Sequence, residues 1–118
     1  MKKPRGDDAL LADMIEAGRN IAVHIADCDL PKFLANRTIQ AAVEREIGIM
    51  GEAACRVSAG LKRRHPEIPW VKIQAQRHVL VHEYGSIMHD MLWQVATMHV
   101  PELLAGLHKF QSTEPDLD

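Results

Sequence analysis

Eight residues, Arg77 to Tyr84 (RHVLVHEY), bring together a guanidinium, two imidazoles (His78 and His82), a carboxylate (Glu83) and the only tyrosine of the chain. Val79, Leu80 and Val81 lie between them and bury readily, so they can hold the polar groups against a core. Imidazole is the side chain whose ordinary pKa suits proton transfer near neutrality. Guanidinium stays charged, and its fork matches phosphate oxygens. An Arg and a His held close together form a minimal kit for phosphodiester chemistry without a metal. The same residues also read as a helix end that carries surface charge and one satisfied histidine.

Spacing limits how this kit can be assembled. Arg77 and His82 are five residues apart, so on a straight helix their directions differ by about 140°. His78 and His82, four apart, are nearly aligned, as are Arg77 and Tyr84, seven apart. One straight helix cannot aim Arg77, His82 and Tyr84 at one point. A long Arg side chain, a helix that ends near His82, or a second protomer would each resolve this. RNA cleavage through the 2′-OH benefits from both a base and an acid. A symmetric dimer would supply them by facing two His82 and two Arg77 across a shared cleft, with Arg77 stabilising the extra charge of a pentacoordinate phosphorane. The pair His78 and His82 also has the His-x3-His spacing of a helical metal site, with His89 as a third candidate. The fuller His-Glu-x-x-His pattern is missing, because Tyr84, Gly85 and Ser86 follow His82 and Glu83. We expect neither metal nor cofactor.

The charge distribution points the same way. A net charge of −2 argues against a general nucleic-acid-coating protein. Locally, however, Arg56, Lys62, Arg63, Arg64, Lys72 and Arg77 face a single acid, Glu67, in the stretch that leads into the motif. Lys2, Lys3 and Arg5 add a basic tip. Such a patch can hold a phosphate backbone, and Arg64 and Lys72 are the candidate auxiliary contacts beside His78. Lys62, Arg63 and Arg64 equally suit a helix C-terminus on dipole grounds alone.

The elements that must position these groups are helical. Of 118 residues, 47% are hydrophobic and only 4% aromatic, and the apolar content is mainly Ala, Leu, Ile, Val and Met. The periodicity predicts an all-α bundle. Its first helix runs from about Ala9 to Ala26, capped by Asp7 or Asp8, and a short second one spans Pro31 to Ala35 after Asp29. The third is a long strut from Thr38 to about Arg64. Its seam is Ile39, Val43, Ile47, Met50, Ala54, Val57 and Leu61. Gly48, Gly51 and Gly60 within it suggest close approach of another helix, and Glu44, Arg45, Glu46 and Glu52 read as its solvated face. After the turn at His65 to Pro69, Trp70 starts a fourth helix reaching about Glu83, on whose apolar stripe Arg77 sits. A charge there requires a partner or an interface, so the fourth helix is expected in a dimer contact. A fifth runs from Ile87 to about Met98. Pro101 kinks or restarts it, and Leu103, Leu104 and Leu107 dock a final turn or two. Residues 1–110 read as one domain and 111–118 as a disordered acidic tail. Cys28 and Cys55 read as reduced thiols. No signal peptide is expected, and the uncharged run Met91 to Pro101 is too short to span a bilayer. The chain reads as cytoplasmic.

The pattern Arg77-x4-His82-x-Tyr84 resembles the signature of the HepT toxin family within the HEPN-domain ribonucleases. The likeness extends to Thr38–Val43, Ile49–Ala54, His65–Trp70 and Trp93, and so covers about residues 8–110. The resemblance implies an antiparallel HEPN-like bundle of four to five helices that forms a homodimer. It also implies a metal-independent endoribonuclease toxin of a type VII-like toxin–antitoxin pair, acting on tRNA or mRNA with Arg77 and His82 as catalytic residues. Tyr84 then matches the tyrosine that receives AMP from a cognate minimal nucleotidyltransferase antitoxin, which silences the toxin. The chain departs from the family at Gln76, where Gly is common, at His78, where Asn is common, and at Met88 and His89. A bundle that kept the fold as a non-catalytic nucleotide- or partner-binding module is the alternative, and a dimer whose motif merely ties the interface is another.

Overall fold

The computed structural model describes residues 6–75 and 89–111, and every regular element among them is helical. The helices are α1 (Asp7–Ile25), α2 (Leu30–Leu34), α3 (Arg37–Arg56), α4 (Ala59–Arg64), α5 (described over 70–75), α6 (His89–Gln94) and α7 (Val100–Gln111). A π-helical turn, Val95–His99, joins the last two without a break. Residues 1–5, 76–88 and 112–118, with the basic tip, the Arg77-to-Tyr84 motif and the acidic tail, lie outside the described residues.

The frame is the antiparallel pair of α1 and α3. Leu10, Leu11, Met14, Ile15, Ala17 and Ile21 of α1 are buried, and they repeat at helical steps. They meet the seam of α3, where Val43, Ile47, Met50 and Ala54 are buried. Two polar contacts fix the antiparallel sense. Near one end Asp7 of α1 accepts the Ser58 N–H (2.8 Å) and hydroxyl (2.5 Å). Further along, Asn20 Nδ2 reaches both oxygens of Glu46 at 3.5 and 3.4 Å. The α6–α7 rod completes the bundle. It runs in the same sense as α3, with His89 beside Glu44 and Leu104 against Gly18 of α1. Phe33 of α2 plugs one end, fully buried with its ring 5.2 Å from that of Trp93.

Local chemistry explains where the elements start and stop. Asp29 caps α2 by accepting from Lys32 N–H at 2.9 Å, and Asn36 caps α3 through Ile39 N–H at 3.0 Å. Gln40 is buried, and its Nε2 donates to the carbonyls of Phe33 (2.8 Å) and Leu34 (3.1 Å) at the end of α2, where helix carbonyls lack intrahelical partners. The expected single strut from Thr38 to Arg64 is instead two helices. Val57 and Ser58 are extended, with ψ of 141° and 149°, and the Ser58 hydroxyl accepts from Leu61 N–H at 3.2 Å to start α4. The apolar seam survives the break, because Val57 and Leu61 remain buried on either side of it.

Other expectations change in detail. Asp7 does not cap α1, because its carboxylate is taken by Ser58, and no side chain caps that helix. Glu46 belongs to the core side of α3, only 5% exposed. Gly48 permits no close approach: a Cβ there would meet nothing within 4 Å. Gly18 does permit one, since a Cβ there would stand 2.7 Å from Leu104 Cδ2. Pro101 lies inside a continuous helix rather than restarting one. Val100 N–H bonds to Val95 O in the wider π turn, and the Thr97 hydroxyl donates to Trp93 O at 2.8 Å. The widened turn makes room for a residue that has no N–H and whose ring crowds the preceding carbonyls. Met91 is exposed, while Leu92 and Ala96 carry the buried side. Cys28 and Cys55 are free.

Gly48 and Phe33 make opposed tests of this frame. Gly48→Ala should stabilise the protein by about 0.5–1 kcal/mol, since the methyl has space and the helix interior gains rigidity. Phe33→Ala should cost about 3–5 kcal/mol by emptying a fully buried site against Trp93. Urea unfolding monitored by helical ellipticity reads both, and a Gly48→Ala midpoint at or below wild type contradicts the open placement.

Candidate functional site

The approach to the motif is a short elbow, residues 65–69, between α4 and α5. Pro66 and Pro69 limit the backbone here, and the carbonyl of His65 is the hub. It accepts from Ile68 N–H at 3.2 Å and from Trp70 Nε1 at 3.0 Å, so the first side chain of α5 is bonded back to the end of α4. Trp70 and Ile68 are both buried. Ile68 also packs so closely on α7 that a Cβ on Gly106 would lie 3.0 Å from its Cδ1. Trp70 thus sets the direction in which the chain sets out toward Arg77.

The His65 ring is nearly buried, and its Nδ1 lies 3.0 Å from Glu67 Oε1. That hydrogen bond, and next the backbone N–H of Glu67, hold the Glu67 carboxyl below its ordinary value, with a smaller attraction from Lys109 of α7. The one acid in the basic stretch is therefore engaged by cationic or hydrogen-bonding neighbours.

Of the residues singled out from sequence, Arg64 ends α4 and is exposed, and Lys72 is exposed on α5. Arg77, His78, His82 and Tyr84 lie outside the described residues, as do Gln76 and Met88. His89 opens α6, with Nε2 3.9 Å from Glu44 Oε1 on α3, so this departure from the family pattern has an acidic neighbour. Among the described residues no group of His, Cys, Asp and Glu could hold a metal ion. No described helix is long and apolar enough to cross a membrane.

Beside Lys72 the bundle opens into a cavity of about 240 Å³. Its walls come from α3 (Ile47, Met50), α5 (Ile73) and the α6–α7 rod (Val95, Val100, Leu103). Among the described residues, Lys72 and His99 are its only lining side chains with nitrogen. His99 is not among the residues singled out from sequence. The available signal was its spacing: Val95, His99 and Leu103 are four residues apart and so share one helix face.

Comparison with known proteins decides the lineage. The profile of the family described as "Ribonuclease HepT-like" matches residues 14–110, most of the chain. The chain belongs to the HepT-like ribonuclease family. It is similar to a protein of Thermococcus cleftensis named "Probable ribonuclease HepT", 32% identical over 111 residues, which cover 94% of this chain and 99% of the relative. It is also similar to a Methanocaldococcus jannaschii protein named as a candidate RNase, 30% identical over 95 residues, or 80% of this chain and 87% of the relative. A second candidate RNase of that organism is 27% identical over 101 residues, 86% of this chain and 87% of the relative. No solved structure matches the chain.

The elbow of this HepT-like chain carries its own pH test. The folded Glu67 carboxyl titrates lower than the unfolded one, so its contribution is complete above the unfolded pKa and is lost as pH falls through the folded pKa. Wild type should therefore exceed Glu67→Gln in urea stability at neutral pH by a small margin, given the exposure of the pair's acid. The margin should close in the acid range. A gap that widens on acidification contradicts the assigned pairing.

Proposed function

We propose that this protein is a metal-independent endoribonuclease toxin. The observation that carries the reading is the family match across residues 14–110, which spans the ordered set Arg77, His82 and Tyr84. In this reading the RNA 2′-oxygen attacks the adjacent phosphorus, and the 5′-oxygen of the next nucleotide leaves. The products carry a 2′,3′-cyclic phosphate, or its hydrolysed form, and a 5′-hydroxyl. His82 serves as general base or acid, and Arg77 stabilises the charge that builds on the phosphorane. His78, Lys72 and Arg64 hold flanking phosphates, Lys72 from an exposed position on α5. A homodimer supplies the second His82, so that one imidazole accepts a proton while the other donates one. Tyr84 accepts AMP from a cognate nucleotidyltransferase antitoxin in a type VII-like pair. The added phosphate takes up the charge of Arg77 and the space of the RNA backbone.

The pure protein, free of AMP, should cut total RNA in EDTA. Arg77→Ala and His82→Ala should each lower the rate by about 10²-fold or more at unchanged helical ellipticity. Cleavage retained by the folded double mutant overturns the assignment. Activity lost to EDTA and restored by zinc would replace it with the His78–His82 metal reading.

The regulatory half has a separate test. Tyr84→Phe keeps the ring and removes the acceptor oxygen, so it should fold, cut RNA and escape the antitoxin. On co-expression, intact mass should rise by whole AMP units in wild type and not in Tyr84→Phe. Equal modification of both rules out Tyr84 as the acceptor. Sedimentation of the unmodified protein at micromolar concentration should give a dimer, and a monomer there contradicts the shared-cleft arrangement.

A further inference from the structure

We infer that the cavity between α3, α5 and the α6–α7 rod is a subsite for an unstacked nucleobase, with Lys72 and His99 taking the phosphate of the same nucleotide. This rests on the ribonuclease reading only in naming RNA as the source of the nucleotide.

Four observations carry it. The cavity measures about 240 Å³, below the ~300–1,000 Å³ of sites for drug-sized ligands, so it has room for one ring system rather than a whole nucleotide. Its walls are aliphatic, and such surfaces accept the flat apolar face of a base once it leaves its stack. Its two nitrogen-bearing side chains, Lys72 and His99, are both exposed and stand on different helices. Neither makes an ion pair or side-chain hydrogen bond with another described residue, so both have donor capacity to give to an anion. Finally, Lys72 stands five residues before Arg77 in the chain. With a base seated here the enzyme would hold its RNA by base burial as well as by charge. An apolar slot whose lining also carries Lys72 and His99 suits a nucleoside monophosphate unit. It does not suit a bare phosphate, which has no apolar part.

Binding of mononucleotides tests this without any need for catalysis. The full-length protein, methyl-labelled at Ile and Val, is titrated with GMP and UMP as purine and pyrimidine probes. Ribose 5-phosphate and inorganic phosphate are the controls. At least one nucleotide should bind about tenfold tighter than ribose 5-phosphate, the scale of a single base contact, and should shift the methyls of Ile47, Ile73 and Val100. Ala75 lines the cavity yet is exposed, so Ala75→Phe fills the space from outside. It should weaken nucleotide binding about tenfold and leave phosphate binding as it was, whereas Lys72→Ala should weaken both. Nucleotides that bind no tighter than ribose 5-phosphate overturn the subsite, as do shifts confined to other methyls. An Ala75→Phe variant that changes the sedimentation of the protein while nucleotide binding persists also overturns it, and makes the cavity the seat of a second copy. Failure of the two proposals is separable. RNA cleavage without nucleotide binding here sinks the subsite alone, and nucleotide binding here without cleavage sinks the ribonuclease alone.

Discussion

Close contact between α1 and α3 is the constraint on which the other elements depend. Six apolar side chains of α1 and five of α3 are buried in the bundle, and no other pair of helices shares so extensive a contact among the described residues. Burial of this kind has no direction of its own. The sense and register of the pair come from its polar ties, Asp7 to Ser58 and Asn20 to Glu46, which are 51 and 26 residues apart in the chain. The Glu46 carboxylate is the costlier of the two to bury, and it has the Asn20 amide and the Arg45 guanidinium at 3.6 Å as partners. A shift of α1 by one turn would leave it without the first of these. The register in turn decides where Gly18 faces, and only a glycine there lets Leu104 bring α7 in.

From this frame the chain reaches the start of α5 through a chain of fixed joints. Asp7 holds Ser58, Ser58 starts α4, α4 ends at His65, and the His65 carbonyl holds the Trp70 indole at the start of α5. Each joint is a hydrogen bond to a helix end or a turn, where the backbone has groups left over. A helix of six residues such as α4 has little stability alone, and it keeps its place because both ends are tied. The break at Val57 and Ser58 therefore redirects the chain without interrupting the core.

Much of this was legible in the sequence, and the exceptions share one cause. Three- and four-residue apolar steps identified α1, the body of α3 and the seam residues Val43, Ile47, Met50, Ala54, Val57 and Leu61, because periodicity reports burial directly. The same periodicity hid the break at Ser58, since Val57 and Leu61 stay in phase across it; only the cap chemistry of Ser58 marks it, and that needs Asp7, 51 residues away. Glu46 read as solvated because its partner Asn20 is on another helix. Gly18 and Gly48 are alike as letters, and only the position of Leu104 separates them. The motif residues were recognised from their types and order, and their family setting rests on the match over residues 14–110. His99 was passed over because its significance lies in the walls that α3 and α5 place around it.

The charge pattern gains meaning from the same joints. Counting letters gives the stretch from Arg56 to His78 an excess of positive charge, but counting does not say whether its single acid would weaken an anion site. In the structure Glu67 is turned to His65, whose hydrogen bond, with the backbone N–H of Glu67 and a smaller attraction from Lys109, holds its carboxyl below the ordinary value. Arg64 and Lys72, on the two helices that the elbow joins, remain exposed. The elbow thus settles two matters with one set of residues. His65 and Trp70 fix the start of α5, and His65 with Lys109 engages the one carboxylate that interrupts the basic stretch.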